Sequence, residues 1–125
     1  MRIQAYLRVV SDEATIKRIH TEAEVSEARI MESKAPRRGT VADERWWIWR
    51  TPRVPIDVDD PDRELKGLLS QYRPVFPKLK KYKGSECDIY LEVVMEYEEG
   101  EDPRGLCLSS ETISLLNELG GALDK

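Results

Sequence analysis

Apolar and polar side chains alternate along residues 2–10, the first stretch of the chain with a clear pattern. The apolar positions are Ile3, Ala5, Leu7 and Val9. A period of two residues places successive side chains on opposite faces of an extended backbone, so the pattern predicts a strand with one buried face. Ser11 is the predicted N-cap of a short helix that buries Ile16 and Ile19, and we interpret His20 near its end as a capping or surface residue.

All three tryptophans lie in residues 45–50, which also predict a strand. Trp47 and Trp49 fall on one face of this strand, while Trp46 and Ile48 fall on the other. Two apolar faces are expected of a strand in the middle of a sheet. We interpret the indoles as core packing, and an aromatic platform for stacking bases or sugars is the alternative.

The segments beside the tryptophan strand have weaker patterns. Residues 25–33 favour a strand with uncertain ends, and residues 34–44 form a predicted connector. After the tryptophans, Pro52 and Pro55 are expected to exclude regular strand pairing from residues 51–60.

An acidic turn precedes the main predicted helix. Asp59 or Asp60 is the expected N-cap, and Pro61 stands at or next to the first helical position. The buried stripe is Leu65, Leu68, Leu69, Tyr72, Phe76 and Leu79. Pro74 and Pro77 interrupt this stripe, so we expect two helical pieces instead of one rod.

The longest alternating pattern covers residues 86–97 and predicts a strand with one buried and one solvated face. The buried face is Cys87, Ile89, Leu91, Val93, Met95 and Tyr97. A turn at residues 98–104 and a short returning strand at residues 105–108 are expected to complete a hairpin.

The end of the chain predicts one more helix. Ser109 is its expected N-cap, Gly120 and Gly121 stop it, and a short strand is expected to begin at Ala122. The elements therefore follow the order strand, helix, strand, strand, helix, strand, strand, helix. This order predicts a single α+β domain over residues 1–125, with a largely antiparallel sheet and three helices against one of its faces.

Composition limits the class of function. The chain has 125 residues, 40% of them hydrophobic, and its net charge of −4 favours basic partners over nucleic acid. We expect a cytoplasmic protein, because no apolar run reaches membrane-spanning length and the first residues lack a signal peptide's apolar core. With two cysteines and one histidine we expect no metal site and no cofactor. The hairpin register separates Cys87 from Cys107, which predicts two reduced, packed thiols.

Charged side chains are predicted to divide between two ends of the domain. The strands before and after the main helix should run in the same direction, so that both end at one edge of the sheet. This brings together a set that we call the acidic end: Asp57, Asp59, Asp60, Asp62, Glu98, Glu99, Glu101 and Asp102. At the opposite edge lies the basic end: Arg37, Arg38, Lys78, Lys80, Lys81 and Lys83. Solvated surface loops are the plain interpretation of both sets.

Several short segments resemble a known family. They are Trp49-Arg50-Thr51, Leu68-Leu69, Leu108-Ser109-Ser110-Glu111 and Leu119-Gly120-Gly121. On these residues the chain is similar to the bacterial family named domain of unknown function 4279, over nearly its whole length. The resemblance implies no catalytic residues, and it suggests a likeness to suspected immunity proteins of bacterial toxin systems.

No catalytic constellation is recognisable in the sequence. His20 is the only histidine available as a triad base, and no Gly-x-Ser-x-Gly, Walker or dinucleotide motif is present. We therefore expect a non-enzymatic binding protein with a protein partner, most concretely an immunity-type inhibitor whose acidic end masks a basic toxin or nuclease. The alternative is a nucleic-acid or phosphorylated-ligand binder that uses the basic end.

Overall fold

The alternating segments of the sequence become strands of one sheet in the computed structural model, which describes residues 1–33, 45–84, 86–101 and 105–124. The strands are β1 (Arg2–Ser11), β2 (Arg29–Glu32), β3 (Trp47–Arg50), β4 (Val54–Ile56), β5 (Asp88–Glu96) and β6 (Ala122–Asp124). The helices are α1 (Glu13–Ala23), α2 (Pro61–Tyr72), α3 (Phe76–Lys80) and α4 (Ser110–Leu119). The main helix is thus α2 and α3, joined by a 3-10 turn over Arg73–Val75. The expected break at its two prolines is confirmed.

Strand β1 lies at the centre of the sheet, whose order is β2-β3-β1-β5-β6. One edge of β1 pairs with β5 along nearly its whole length, while the other edge pairs first with β4 and then with β3. Because β3 and β5 both run antiparallel to β1, they run parallel to each other, as their places around the main helix predicted. Only β6, beside β5, pairs in parallel among the described strands.

All four helices contribute to a core on one face of the sheet. The strands supply Ile3, Ala5, Leu7, Val9, Trp49, Ile56, Ile89, Leu91 and Val93 to it, and Cys87 just before β5 joins them. The helices supply Ile16, Ile19, Ala23, Leu65, Leu68, Leu69, Tyr72, Phe76, Leu79 and Leu119. Trp49 is fully buried in this core, as core packing predicts, and the half-buried Trp47 packs against it, whereas Trp46 is buried outside this cluster. The α+β class and the largely antiparallel sheet are confirmed.

The helix ends follow local capping rules, with one correction. The N-cap of α1 is Asp12, whose side chain accepts from the Thr15 amide at 2.8 Å, and Ser11 instead completes β1. The caps of the other helices agree with the sequence, because Asp60 caps α2 and Ser109 caps α4. An aspartate at the N-cap satisfies an amide that the helix itself leaves unpaired.

The expected strand order is wrong at two places. Residues 51–60 do pair, because Val54–Ile56 forms β4 and Pro55 lies opposite Gln4 on an outer strand that tolerates proline. Residues 105–108 form no strand. The free edge of β5 is taken by β6, and the Ser109 amide is held by Asp62 Oδ1 at 2.8 Å, so the chain leaves the sheet to start α4.

The cysteines are both free, with different surroundings. Cys87 is buried in the core, whereas Cys107 is exposed. Both thiols are free, although the hairpin from which this was predicted does not form, and the expected packing of Cys107 is wrong because the strand that would have packed it is absent.

Candidate functional site

The acidic end gathers at the edge of the sheet where β1 begins. β4 ends with Ile56 opposite Ile3, and β5 ends with Glu96 opposite Arg2. The loops that follow β4 and β5 therefore leave the same end of the sheet, on either side of β1. This is the convergence that the parallel direction of β3 and β5 predicted.

A cleft of about 250 Å³ lies between the loop after β4, the end of β5 and the segment before α4. Its apolar lining comes from Met1, Ile3, Val58, Pro61, Met95 and Leu106. Asp59, Asp60 and Asp62 line it as well, as do Gly105 and the exposed Cys107. The acidic end thus combines apolar lining with carboxylates in one concave surface.

Some acidic side chains at this end hold the fold together. Asp62 accepts the Ser109 amide, and this hydrogen bond lowers the pKa of its carboxyl. Glu101 Oε1 accepts from the Met1 amino group at 2.6 Å. Glu96 pairs with the Arg2 guanidinium at 2.8 Å. These carboxylates stabilise the loops and the sheet edge.

Five other carboxylates at the acidic end form no ion pair within the described ranges. They are Asp57, Asp59, Asp60, Glu98 and Glu99, all exposed. Asp57 and Asp60 accept backbone amides at 2.9 and 3.3 Å, which shapes the loop without neutralising either charge. Asp102 lies outside the described residues. The acidic end therefore keeps an uncompensated negative charge.

The lysines of the basic end lie at the opposite edge, where α3 ends. Lys81 pairs with Glu22 at 2.8 Å, and this hydrogen bond raises the pKa of its ammonium. The side chains of Lys80 and Lys83 pass beside Gly120, the C-cap of α4, where the helix dipole favours cations. Lys78 is exposed, and Arg37 and Arg38 lie outside the described residues. Much of this positive charge is therefore engaged within the fold.

Sequence reasoning missed a group of charged residues on the second face of the sheet, away from the core. Arg8 Nη2 lies 2.9 Å from Asp124 Oδ2 and 3.2 Å from Glu92 Oε2. Burial, together with the hydrogen bond to Asp124, raises the pKa of the Glu92 carboxyl to about 7. The alternating patterns placed Arg8 and Glu92 on polar faces, but only the strand register brings them into contact with Asp124.

The described residues contain neither a metal-ligand cluster nor a membrane-spanning helix. No group of three or more metal-ligating side chains assembles among the described residues. Of the helices that the structure describes, none is long and apolar enough to cross a membrane.

The fold and these surfaces define a small α+β domain with separated charge. The whole chain, residues 1–125, matches the sequence profile of one family, described as Domain of unknown function (DUF4279). The chain belongs to this family. No curated protein and no solved structure matches it.

Proposed function

We propose that this protein is a non-enzymatic binding protein whose acidic end associates with a basic protein partner. The most concrete form of the proposal is an immunity-type inhibitor that acts in the bacterial cytoplasm and masks a basic toxin or nuclease. One observation carries the proposal: Asp59 and Asp60, two of the five exposed carboxylates without an ion pair in the described ranges, line a cleft whose other lining is largely apolar.

The carboxylates supply a field that attracts a basic partner. The loop with Asp57, Asp59 and Asp60 and the loop with Glu98 and Glu99 leave the same end of the sheet, so the potentials of their carboxylates add. Summed potentials of this kind accelerate association and favour partners of opposite sign. The field also orients the partner before contact is made.

The cleft supplies a place for a partner side chain to anchor. Met1, Val58 and Met95 provide apolar contact, while Asp59 and Asp60 stand beside them. A lysine or arginine fits this combination, because its aliphatic stem packs on apolar surface while its charged head meets carboxylates. Affinity in protein interfaces is concentrated in such anchors.

The basic end gives less support to the alternative function, a nucleic-acid or phosphorylated-ligand binder. Lys81 is paired with Glu22, and Lys80 and Lys83 lie at the C-terminus of α4. These contacts reduce the positive charge that is free to bind nucleic acid.

The test is a charge reversal in which Asp59, Glu98 and Glu99 are all changed to Lys. Asp60 is left intact because it caps α2. Proteins captured by the unmutated protein are identified, and association rates are then measured by surface plasmon resonance. We expect the variant to associate at least about tenfold more slowly, and added salt to slow the unmutated protein in the same way. The stability of the variant should hold or rise slightly, because the reversal reduces the crowding of like charges at this end.

The matched control reverses Lys78, Lys80 and Lys83 to Glu at the other edge. Partner binding that survives the acidic-end variant but is abolished by the control would exclude the proposed surface. Binding that is insensitive to both variants and to salt would exclude an electrostatic partner altogether.

A further inference from the structure

A row of arginines crosses three neighbouring strands on the second face of the sheet. Arg8 of β1 lies directly opposite Arg50 of β3, and Arg50 lies directly opposite Arg29 of β2. We call these three residues the arginine row. Directly opposed residues in antiparallel strands are neighbours at about 5 Å, and like charges at this distance destabilise the pair. The row therefore requires compensating negative charge.

The fold compensates only one member of the row. Arg8 contacts Glu92 and Asp124, and its guanidinium also lies 4.8 Å from the centre of the Tyr90 ring. Arg29 and Arg50 form no ion pair with any residue that the structure describes. Two positive charges of the row are left over.

An aromatic ring orients Arg50 and a further arginine, Arg53. Their guanidinium carbons lie 5.4 and 5.3 Å from the centre of the Tyr6 ring, and Tyr6 is itself buried. Stacking on a ring restrains a guanidinium without neutralising it or using its N–H donors in the plane. Both arginines are thus held in place with their charge available.

Arg29, Arg50 and Arg53 line one groove of about 580 Å³. Its remaining lining residues are Ser26, Glu27, Ala28, Thr51 and Pro52. Glu27 is the one acidic residue in this lining, and its carboxylate already accepts from the Tyr72 and Ser26 hydroxyls, each at 3.2 Å. The groove has the volume of a small-molecule site and an excess of positive charge.

We propose that this groove binds the phosphate group of a small phosphorylated molecule, with Arg29, Arg50 and Arg53 as its ligands. A phosphate monoester carries close to two negative charges and three acceptor oxygens, which matches several guanidinium forks better than a single carboxylate does. Binding would also relieve the repulsion within the row. The site lies apart from the acidic end and takes a ligand of opposite charge.

The test is isothermal titration calorimetry of the full chain with inorganic phosphate, adenosine monophosphate and adenosine. We expect the two phosphate-bearing probes to bind and adenosine not to bind. If both inorganic phosphate and adenosine monophosphate bind, the phosphate group alone is the determinant. If only the nucleotide binds, the ligand is an organic phosphate ester. Arg29→Met and Arg50→Met should each weaken binding by about tenfold or more, the effect of losing charge-assisted hydrogen bonds.

Arg63→Met is the matched control, because Arg63 is an exposed arginine of α2 outside the groove. It should bind the phosphate probes as the unmutated protein does. Arg29 is exposed, so Arg29→Met gives an answer even if Arg50→Met fails to fold. The proposal fails if neither phosphate-bearing probe binds, if the Arg29 variant binds them normally, or if the Arg63 variant loses them equally.

Discussion

The acidic end and the arginine row concentrate opposite charges by different means. The acidic end collects carboxylates from two loops that follow β4 and β5, the strands on either side of β1, at one end of the sheet. The arginine row takes one residue from each of three strands, aligned by their hydrogen-bonded register. The first surface depends on which strand ends meet, and the second depends on which residues lie opposite each other.

This difference sets what each surface can do. Exposed loop carboxylates are well solvated, so they act mainly through their summed field and influence the rate of association. Arginines restrained by an aromatic ring are already oriented, so less conformational entropy is lost when a ligand binds them. The acidic end is suited to steering a large partner, and the groove with Arg29, Arg50 and Arg53 is suited to holding a small anion.

The largest expected effect is on stability and belongs to Trp49, which lies on the core face of β3. Trp49 is fully buried and directly precedes Arg50. Because neighbouring residues of a strand point to opposite faces, the burial of Trp49 places Arg50 on the second face. Trp49→Ala should lower the free energy of unfolding by about 3–5 kcal/mol, because it leaves a large cavity. Urea denaturation measures this loss.

Trp47→Ala is the control for that substitution. Trp47 is half-buried, with Lys17 Nζ 5.9 Å from the centre of its ring, so its loss should cost less. An equal or greater cost at Trp47 would contradict the assignment of Trp49 as the residue that anchors β3 in the core.

A smaller effect is expected at the joint between β3 and β4. Thr51 is buried there, and its Oγ1 accepts from the Leu7 amide at 2.9 Å while its own amide donates to the Leu7 carbonyl at 3.1 Å. Thr51→Val leaves the Leu7 amide without its acceptor and should cost about 1–3 kcal/mol. Thr51→Ser keeps the hydroxyl and should cost less. Equal losses in urea denaturation would show that the hydroxyl is not what matters.

The Thr51 variants also test how independent the two surfaces are. Thr51 follows Arg50 directly and lines the groove, so Thr51→Val should weaken phosphate binding. The acidic end begins beyond β4 and should keep its association rate with a basic partner. If Thr51→Val lost both phosphate binding and association with the basic partner, the two surfaces would not be independent.

The smallest expected effect is the pH dependence of stability that arises from Glu92, one of the carboxyls that compensate Arg8. The pKa of Glu92 rises from 4.5 to about 7 on folding, so the folded protein binds this proton more tightly than the unfolded chain. The resulting stabilisation is present below pH 4.5 and is lost as the pH rises through about 7. The stability of Glu92→Gln relative to the unmutated protein should therefore rise between pH 4.5 and about 7. Above about pH 7 the difference in stability between the two proteins should stay constant.

Thermal denaturation at a series of pH values measures this difference. Glu99→Gln is the matched control, since it removes one negative charge from the exposed acidic end. A stability difference at Glu92 that does not change with pH would contradict the burial of its carboxyl against Asp124.

Features that depend on neighbouring residues could be predicted from the sequence. The alternation in β1 and β5, the caps at Asp60 and Ser109, and the break of the main helix each follow from a few consecutive side chains. The convergence of the acidic end also followed, because strand direction across a helix is set by chain connectivity. Local rules misled where two residues compete, as Ser11 and Asp12 do for the cap of α1, and where an outer strand tolerates proline, as β4 does at Pro55.

The tertiary structure decided what depends on partners far along the chain. The free edge of β5 could have paired with residues 105–108 in a hairpin, yet it pairs with β6 because Asp62 holds the start of α4 over α2. Arg8 and Arg50 lie opposite each other on β1 and β3 although they are 42 positions apart in the sequence. Side-chain periodicity states which face a residue takes but not which residue lies opposite it. The charge runs of the acidic end were therefore visible in the sequence, and the arginine row became visible only through strand register.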